Sequence, residues 1–134
     1  MTIRYNENDL NIANGILQLD GSSLVPIEHL PTGLGGTRAT YQTVSSFPLT
    51  VSAPASDVVK IKYYLSNGAS AVTVNLPAIA SVDGLELVFK LLGTGTATID
   101  ANGAETIDGA ATFSLSLQNS SVTMTATSAG WRIE

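Results

Sequence analysis

The chain has 134 residues, of which 44% are hydrophobic and only 13% charged, about half the ~25% of an ordinary soluble domain. Six Lys/Arg against eleven Asp/Glu give a net charge of −5, which excludes the basic footprint of a protein that coats nucleic acid. There is no cysteine and one histidine, which excludes disulfides, thiolate nucleophiles, cysteine-based metal sites and a multi-histidine metal site within one chain.

No apolar run approaches the ~20 residues that span a bilayer, so no membrane partner is expected. The segment Met1 to Asp9 carries no apolar signal core and predicts a protein made in a cytosol. Residues 1–50 have little periodicity. Leu10, Ile12, Ile16 and Leu17 alternate only in part, interrupted by Asn14-Gly15. In Leu24-Val25-Pro26-Ile27-Glu28-His29-Leu30-Pro31 the two prolines disfavour a helix and favour extended chain. Residues 1–50 therefore read as an extended N-terminal arm that orders by packing on something else. Its candidate contacts are the apolar residues Leu24, Val25, Pro26, Ile27, Leu30 and Pro31, set between flexible flanks.

From residue 51 to 134 the pattern is that of a β-domain. Val58 to Leu65 is rich in β-branched and aromatic residues and ends before Asn67-Gly68. Val72, Val74 and Leu76 alternate with Thr73 and Asn75 up to Pro77. After Asp83-Gly84, Leu85, Leu87, Phe89 and Leu91 share one face, opposite Glu86 and Lys90. Thr96 to Asp100, Thr112 to Leu117 and Ser121 to Thr127 are further strands, and Trp131-Arg132-Ile133 closes the chain. Short strands between turn signals, without a 3.6-residue period, predict an all-β fold. The expected form is a short-stranded antiparallel sandwich or jelly-roll-like domain. The outward positions are Ser, Thr and Ala rather than the charges that guard free sheets, which points to a symmetric oligomer.

Candidate chemistry is sparse. Asp100, Asn102, Glu105 and Asp108 flank a glycine, as oxygen ligands of Ca²⁺ would, but the EF-hand spacing is missing and Asn102-Gly103 reads first as a tight turn. Thr98-Ile99-Asp100 and Thr106-Ile107-Asp108 read as two arms of one hairpin rather than as a catalytic carboxylate pair. His29 has no nucleophile turn to serve. Leu34-Gly35-Gly36-Thr37-Arg38 lacks the phosphate-loop pattern, although Arg38 is a candidate anion contact. Tyr63, Tyr64 and Trp131 are candidates for stacking on a sugar, with packing as the ordinary alternative. No enzyme and no cofactor are expected.

The stretch from Val72 to Ile133 resembles a module of tailed-bacteriophage fibre and virion-surface proteins. The matching positions are Val72 to Pro77, Gly84, Lys90, Thr98-Ile99, Gly103, Glu105 to Gly109, Leu115, Ser121 to Thr123, Gly130, Trp131 and Ile133. The segment Leu19 to Thr40 is similar to connectors near phage fibre anchors, with Arg38 where glycine is usual. The resemblance implies a virion structural protein on the particle surface, typically a homotrimer of β-domains attached by an N-terminal segment, and no catalysis. Its small size suits a capsid decoration (cement) protein or short head fibre on the major capsid protein. The alternative is a tail or baseplate fibre, or a carbohydrate-binding receptor-recognition module whose partner is a glycan.

Overall fold

A computed structural model describes residues 37–134, and Thr37–Glu134 form one compact unit. The expected arm contacts Leu24, Val25, Pro26, Ile27, Leu30 and Pro31, and also His29, lie outside the described residues. The unit is all-β, with nine strands: β1 (Arg38–Val44), β2 (Leu49–Thr50), β3 (Val58–Leu65), β4 (Val72–Asn75), β5 (Glu86–Leu91), β6 (Ala97–Asp100), β7 (Thr112–Leu115), β8 (Ser121–Thr127) and β9 (Gly130–Ile133). One 3-10 turn, Ile79–Ser81, follows Pro77.

The strands form a five-stranded sheet, β1-β3-β5-β8-β9, and a four-stranded sheet, β2-β4-β6-β7. The pairing is mixed rather than the antiparallel arrangement that the sequence predicts. β1-β3-β5 and β2-β4-β6 are parallel, and only β5-β8-β9 and β6-β7 are antiparallel. The physical reason lies at the turns. After β1, β3 and β5 the chain crosses to the other sheet, so each turn is a corner of a coil. Three coils stack in this way: Leu49 lies beside Val74, and Val74 beside Ile99, a step of 25 residues each time. The chain then doubles back through β7, β8 and β9.

Residues 38–50, which the sequence assigns to the arm, supply β1 and β2 and thus the first coil. The second coil needs that neighbour, because Ile61, Tyr63 and Leu65 are buried while β1 pairs alongside them.

The core lies between the sheets. Leu65, Val74, Leu87, Phe89, Leu91, Ile99, Met124 and Trp131 are all fully buried. Burying each of the large aliphatic or aromatic side chains is worth about 1.5–3 kcal/mol, and this drives the sheets together. The expected alternation holds where strands are central: Leu87, Phe89 and Leu91 in β5, and Val122, Met124 and Ala126 in β8. In β3 it breaks once. Arg38 pairs with Val58 but Ala39 with Lys60, so Val59 is an extra residue. This bulge lets both Val58 and Ile61 turn inward and leaves Val59 exposed. The alternation expected through Leu117 stops at Leu115, and Leu117 is exposed.

Tyr63 stacks on Phe89, with ring centroids 5.3 Å apart and planes 14° apart. Burial raises the pKa of its phenol above the ordinary 10.0, and a hydrogen bond with Gln42 partly offsets this. The unfolded chain loses this proton at lower pH than the folded one, so Tyr63 draws stability down as pH rises above about 10. Its contribution is complete below that pH. In an alkaline absorbance titration, Tyr63→Phe is expected to remove a tyrosine ionisation that lies above the ordinary pH 10. It should also flatten the fall in stability above pH 10.

Candidate functional site

The motif Glu105-Thr106-Ile107-Asp108-Gly109 does not form the second arm of a hairpin with Thr98-Ile99-Asp100. β6 pairs instead with β7, with Asp100 opposite Thr112, and the motif lies in the connection between them. From there it reaches across to β9. Ile107 is buried and forms bridges with Ala110 and Trp131. The backbone N–H of Trp131 donates to the Thr106 carbonyl at 2.8 Å, and the Asp108 N–H donates to the Trp131 carbonyl at 2.9 Å. The Asp108 carboxylate accepts the N–H of Ile133 at 3.3 Å and lies 3.6 Å from the Arg132 guanidinium. The motif thus closes the outer edge of β9.

Each residue of the motif has its own task. The Glu105 carboxylate accepts the N–H of Ile79 at 3.0 and 3.2 Å and so caps the 3-10 turn. Asp108 sits at φ 48° and Gly109 at φ 90°, in the left-handed region that Asp and Gly enter most readily. Among the described residues, no three His, Cys, Asp or Glu side chains are grouped as ligands for a metal ion. The Ca²⁺ alternative at Asp100 to Asp108 therefore gains no support from the geometry, because Glu105 and Asp108 are engaged with separate backbone amides.

A graded prediction follows for Asp108. Asp108→Asn keeps an acceptor for Ile133, tolerates positive φ and loses only an exposed ion pair, so its cost should stay near zero to 1 kcal/mol. Asp108→Ala loses both the acceptor for Ile133 and the short polar side chain that lets this residue hold a positive φ, at about 2 kcal/mol. Urea unfolding of the two variants checks the order.

The aromatic candidates divide. Tyr63 and Trp131 are buried in the core, so neither presents a face to a sugar. Tyr64 lies on the opposite face of β3 and meets Tyr41 edge to face at 6.5 Å. Tyr41 is 78% exposed. The Lys62 ammonium sits 5.7 Å from the centre of the Tyr64 ring, a weak cation–π contact. The sequence reading missed Tyr41 because β1 lay inside the expected arm.

The basic residues are segregated. Arg38, Lys60, Lys62, Lys90 and Arg132, the five among the described residues, all lie on strands of the larger sheet. Arg38 pairs with Asp57 at 2.8 Å instead of standing free as an anion contact. Lys60 pairs with Glu86 across the β3–β5 register. Lys90 donates to the Asn119 carbonyl at 3.0 Å.

A groove of about 430 Å³ runs between the β2–β3 connection and the 3-10 turn, lined by Pro54, Val58, Val59, Val82 and Leu85 among others. Asp83 is the one ionisable side chain on its wall, so the groove offers shape but little chemistry. No helix among the described residues is long and apolar enough to cross a membrane. The class defined here is a two-sheet coiled β unit whose acidic motif serves its own architecture. The chain matches no protein-family model and no curated protein sequence.

Proposed function

We propose that the chain is a structural protein of a tailed-bacteriophage virion surface, a capsid decoration (cement) protein or short head fibre. It would act as a homotrimer, attach to the major capsid protein through its N-terminal segment, with Leu24, Val25, Pro26, Ile27, Leu30 and Pro31 as contacts, and stabilise the shell. One observation carries this reading beyond the resemblance. The residues that make the resemblance specific, Glu105 to Gly109 with Trp131 and Ile133, are spent on closing a sheet edge and fixing a turn. A motif used in this way marks a rigid building block. An extended attachment segment suits such a block, since it wraps a large surface and several linked copies gain avidity.

The experiment is gold-labelled antibody against the protein on intact virions, viewed by electron microscopy. Dense label over the head is expected, together with lower heat and osmotic resistance of particles that lack the protein. Sparse label at the tail would replace this reading with a tail or baseplate fibre. The second reading, recognition of a glycan, is favoured by the exposed Tyr41 beside Tyr64 and Lys62. Binding on a glycan array that Tyr64→Ala abolishes, with no label on any particle, would select it.

A further inference from the structure

The chain holds three Asn-Gly pairs, Asn14-Gly15, Asn67-Gly68 and Asn102-Gly103, of which the first lies outside the described residues. The other two are matched. Both read Asn-Gly-Ala. Both are turns closed from the first residue to the fourth: the Ser70 N–H donates to the Asn67 carbonyl at 3.0 Å, and the Glu105 N–H to the Asn102 carbonyl at 2.9 Å. Gly68 sits at φ 59° and Gly103 at φ 57°. Local sequence and turn are therefore alike, and the difference lies in what surrounds each asparagine side chain.

Those surroundings are opposite. Asn67 is buried. Its side-chain nitrogen donates to the Ser70 carbonyl at 2.6 Å and the Gly95 carbonyl at 3.1 Å, so both of its N–H groups are engaged. Its Oδ1 is buried with no donor among the described residues. Asn102, Gly103 and Ala104 are all exposed.

An asparagine before glycine carries a reaction of its own. The glycine amide nitrogen, with no side chain to hinder it, attacks the asparagine Cγ. The Cγ–Nδ2 bond breaks, and the amide proton passes through solvent to the departing nitrogen, which leaves as ammonia. A succinimide ring remains. Water then opens either ring carbonyl and gives aspartate or isoaspartate. One water is consumed and one ammonia released, and nothing is oxidised or reduced. The attack builds negative charge on Oδ1. At Asn102 water solvates that charge. At Asn67 the oxygen is shut away from any described donor, and the leaving nitrogen is tied twice.

We propose that Asn102 is a self-modifying site of the folded chain, converting to aspartate and isoaspartate, while Asn67 in the same kind of turn is protected by its burial and hydrogen bonds. Asn119-Ser120 is held back differently: the Ser120 N–H, its nucleophile, donates to the Leu117 carbonyl at 3.0 Å. Conversion of Asn102 adds one negative charge to a chain of net −5. Isoaspartate also lengthens the backbone by one carbon just before Glu105, whose carboxylate caps the turn at Ile79. The proposal goes beyond the virion reading and does not rest on it.

The test is incubation of the full chain at mildly alkaline pH, in buffer and in concentrated urea. Peptide mapping by mass spectrometry and an isoaspartate methyltransferase assay then read the products. In urea the Asn67 and Asn102 peptides should convert at similar rates, since their local sequence is the same. In the folded chain Asn102 should convert about tenfold faster than Asn67 or more, because two hydrogen bonds must break first at Asn67. Asn102→Gln, which would have to close a larger ring, should remove the fast product and leave Asn67 unreacted. Equal folded rates, a faster Asn67, or no conversion at Asn102 in the folded chain would each overturn the proposal and leave the virion reading standing.

Discussion

Trp131→Ala is expected to cost about 3–5 kcal/mol, enough to unfold much of a domain of ordinary stability. Trp131 is fully buried in β9, opposite Ala126 on β8 and bridged to Ile107 on its other side. Truncation removes the largest side chain of the core at the point where β9 and the Glu105 to Gly109 motif meet. The cavity cannot collapse easily, because the backbone on both sides is held by the hydrogen bonds of Thr106 and Asp108. Trp131→Phe separates packing from polarity. The indole Nε1 is buried and has no hydrogen-bond partner among the described residues, an unfavourable state for a donor. Phenylalanine gives up volume but also removes that orphan donor, so its cost should be well under half that of alanine. Trp131 is the only tryptophan, so the comparison is followed by circular dichroism in urea. Equal costs for the two variants would show that the indole, not the ring volume, holds the edge.

How much of this was legible in the sequence depends on where each residue sits. β5 and β8 bury one face in the middle of a sheet, and their alternation is plain in the text. β1 lies at an edge, where Thr40, Gln42 and Val44 face inward with little to cover, so Arg38-Ala39-Thr40-Tyr41-Gln42-Thr43-Val44 shows almost no apolar period. Strand direction was not legible at all. Alternation is the same in parallel and antiparallel strands, and Asn67-Gly68 marks a turn without telling whether the chain returns beside itself or crosses to the other sheet. The orientation of Tyr63 is written in the sequence: Lys60, Lys62 and Tyr64 share one parity, and the two lysines mark the solvent face. The acidic motif was recognisable as a pattern, but its work depends on Trp131 and Ile133, more than twenty residues later in the chain, and only tertiary structure joins them.

Gly95→Ala is expected to be about as damaging as the tryptophan truncation, at about 3 kcal/mol or more, for a different reason. The corner after β3 stacks on the corner after β5. The backbone N–H groups of Thr94 and Gly95 both donate to the Gly68 carbonyl, at 2.6 and 3.0 Å. Asn67, 8% exposed, staples the two corners by donating its side-chain amide to the Ser70 carbonyl at 2.6 Å and the Gly95 carbonyl at 3.1 Å. A Cβ on Gly95 would lie 2.1 Å from the Ser70 oxygen and 2.5 Å from its carbon. These are backbone atoms of the neighbouring coil, so relief requires the coils to separate and the staple to break.

Gly93 is the companion case. Its Cβ would lie 2.2 Å from the Gly68 oxygen and 2.3 Å from Asn67 Oδ1. That buried Asn67 oxygen has no hydrogen-bond partner among the described residues and lies close to Gly93. Asn67→Ala should therefore fail to rescue Gly93→Ala, because the Gly68 backbone still blocks the space. Gly103→Ala is the control. That residue sits at φ 57° with open space around its would-be Cβ, so only the left-handed conformation is penalised, at about 1–2 kcal/mol. Thermal unfolding of the three single variants and the double variant measures the order directly. If Gly95→Ala proved no worse than Gly103→Ala, the stacked corners would not be the tight contact on which the parallel coils depend.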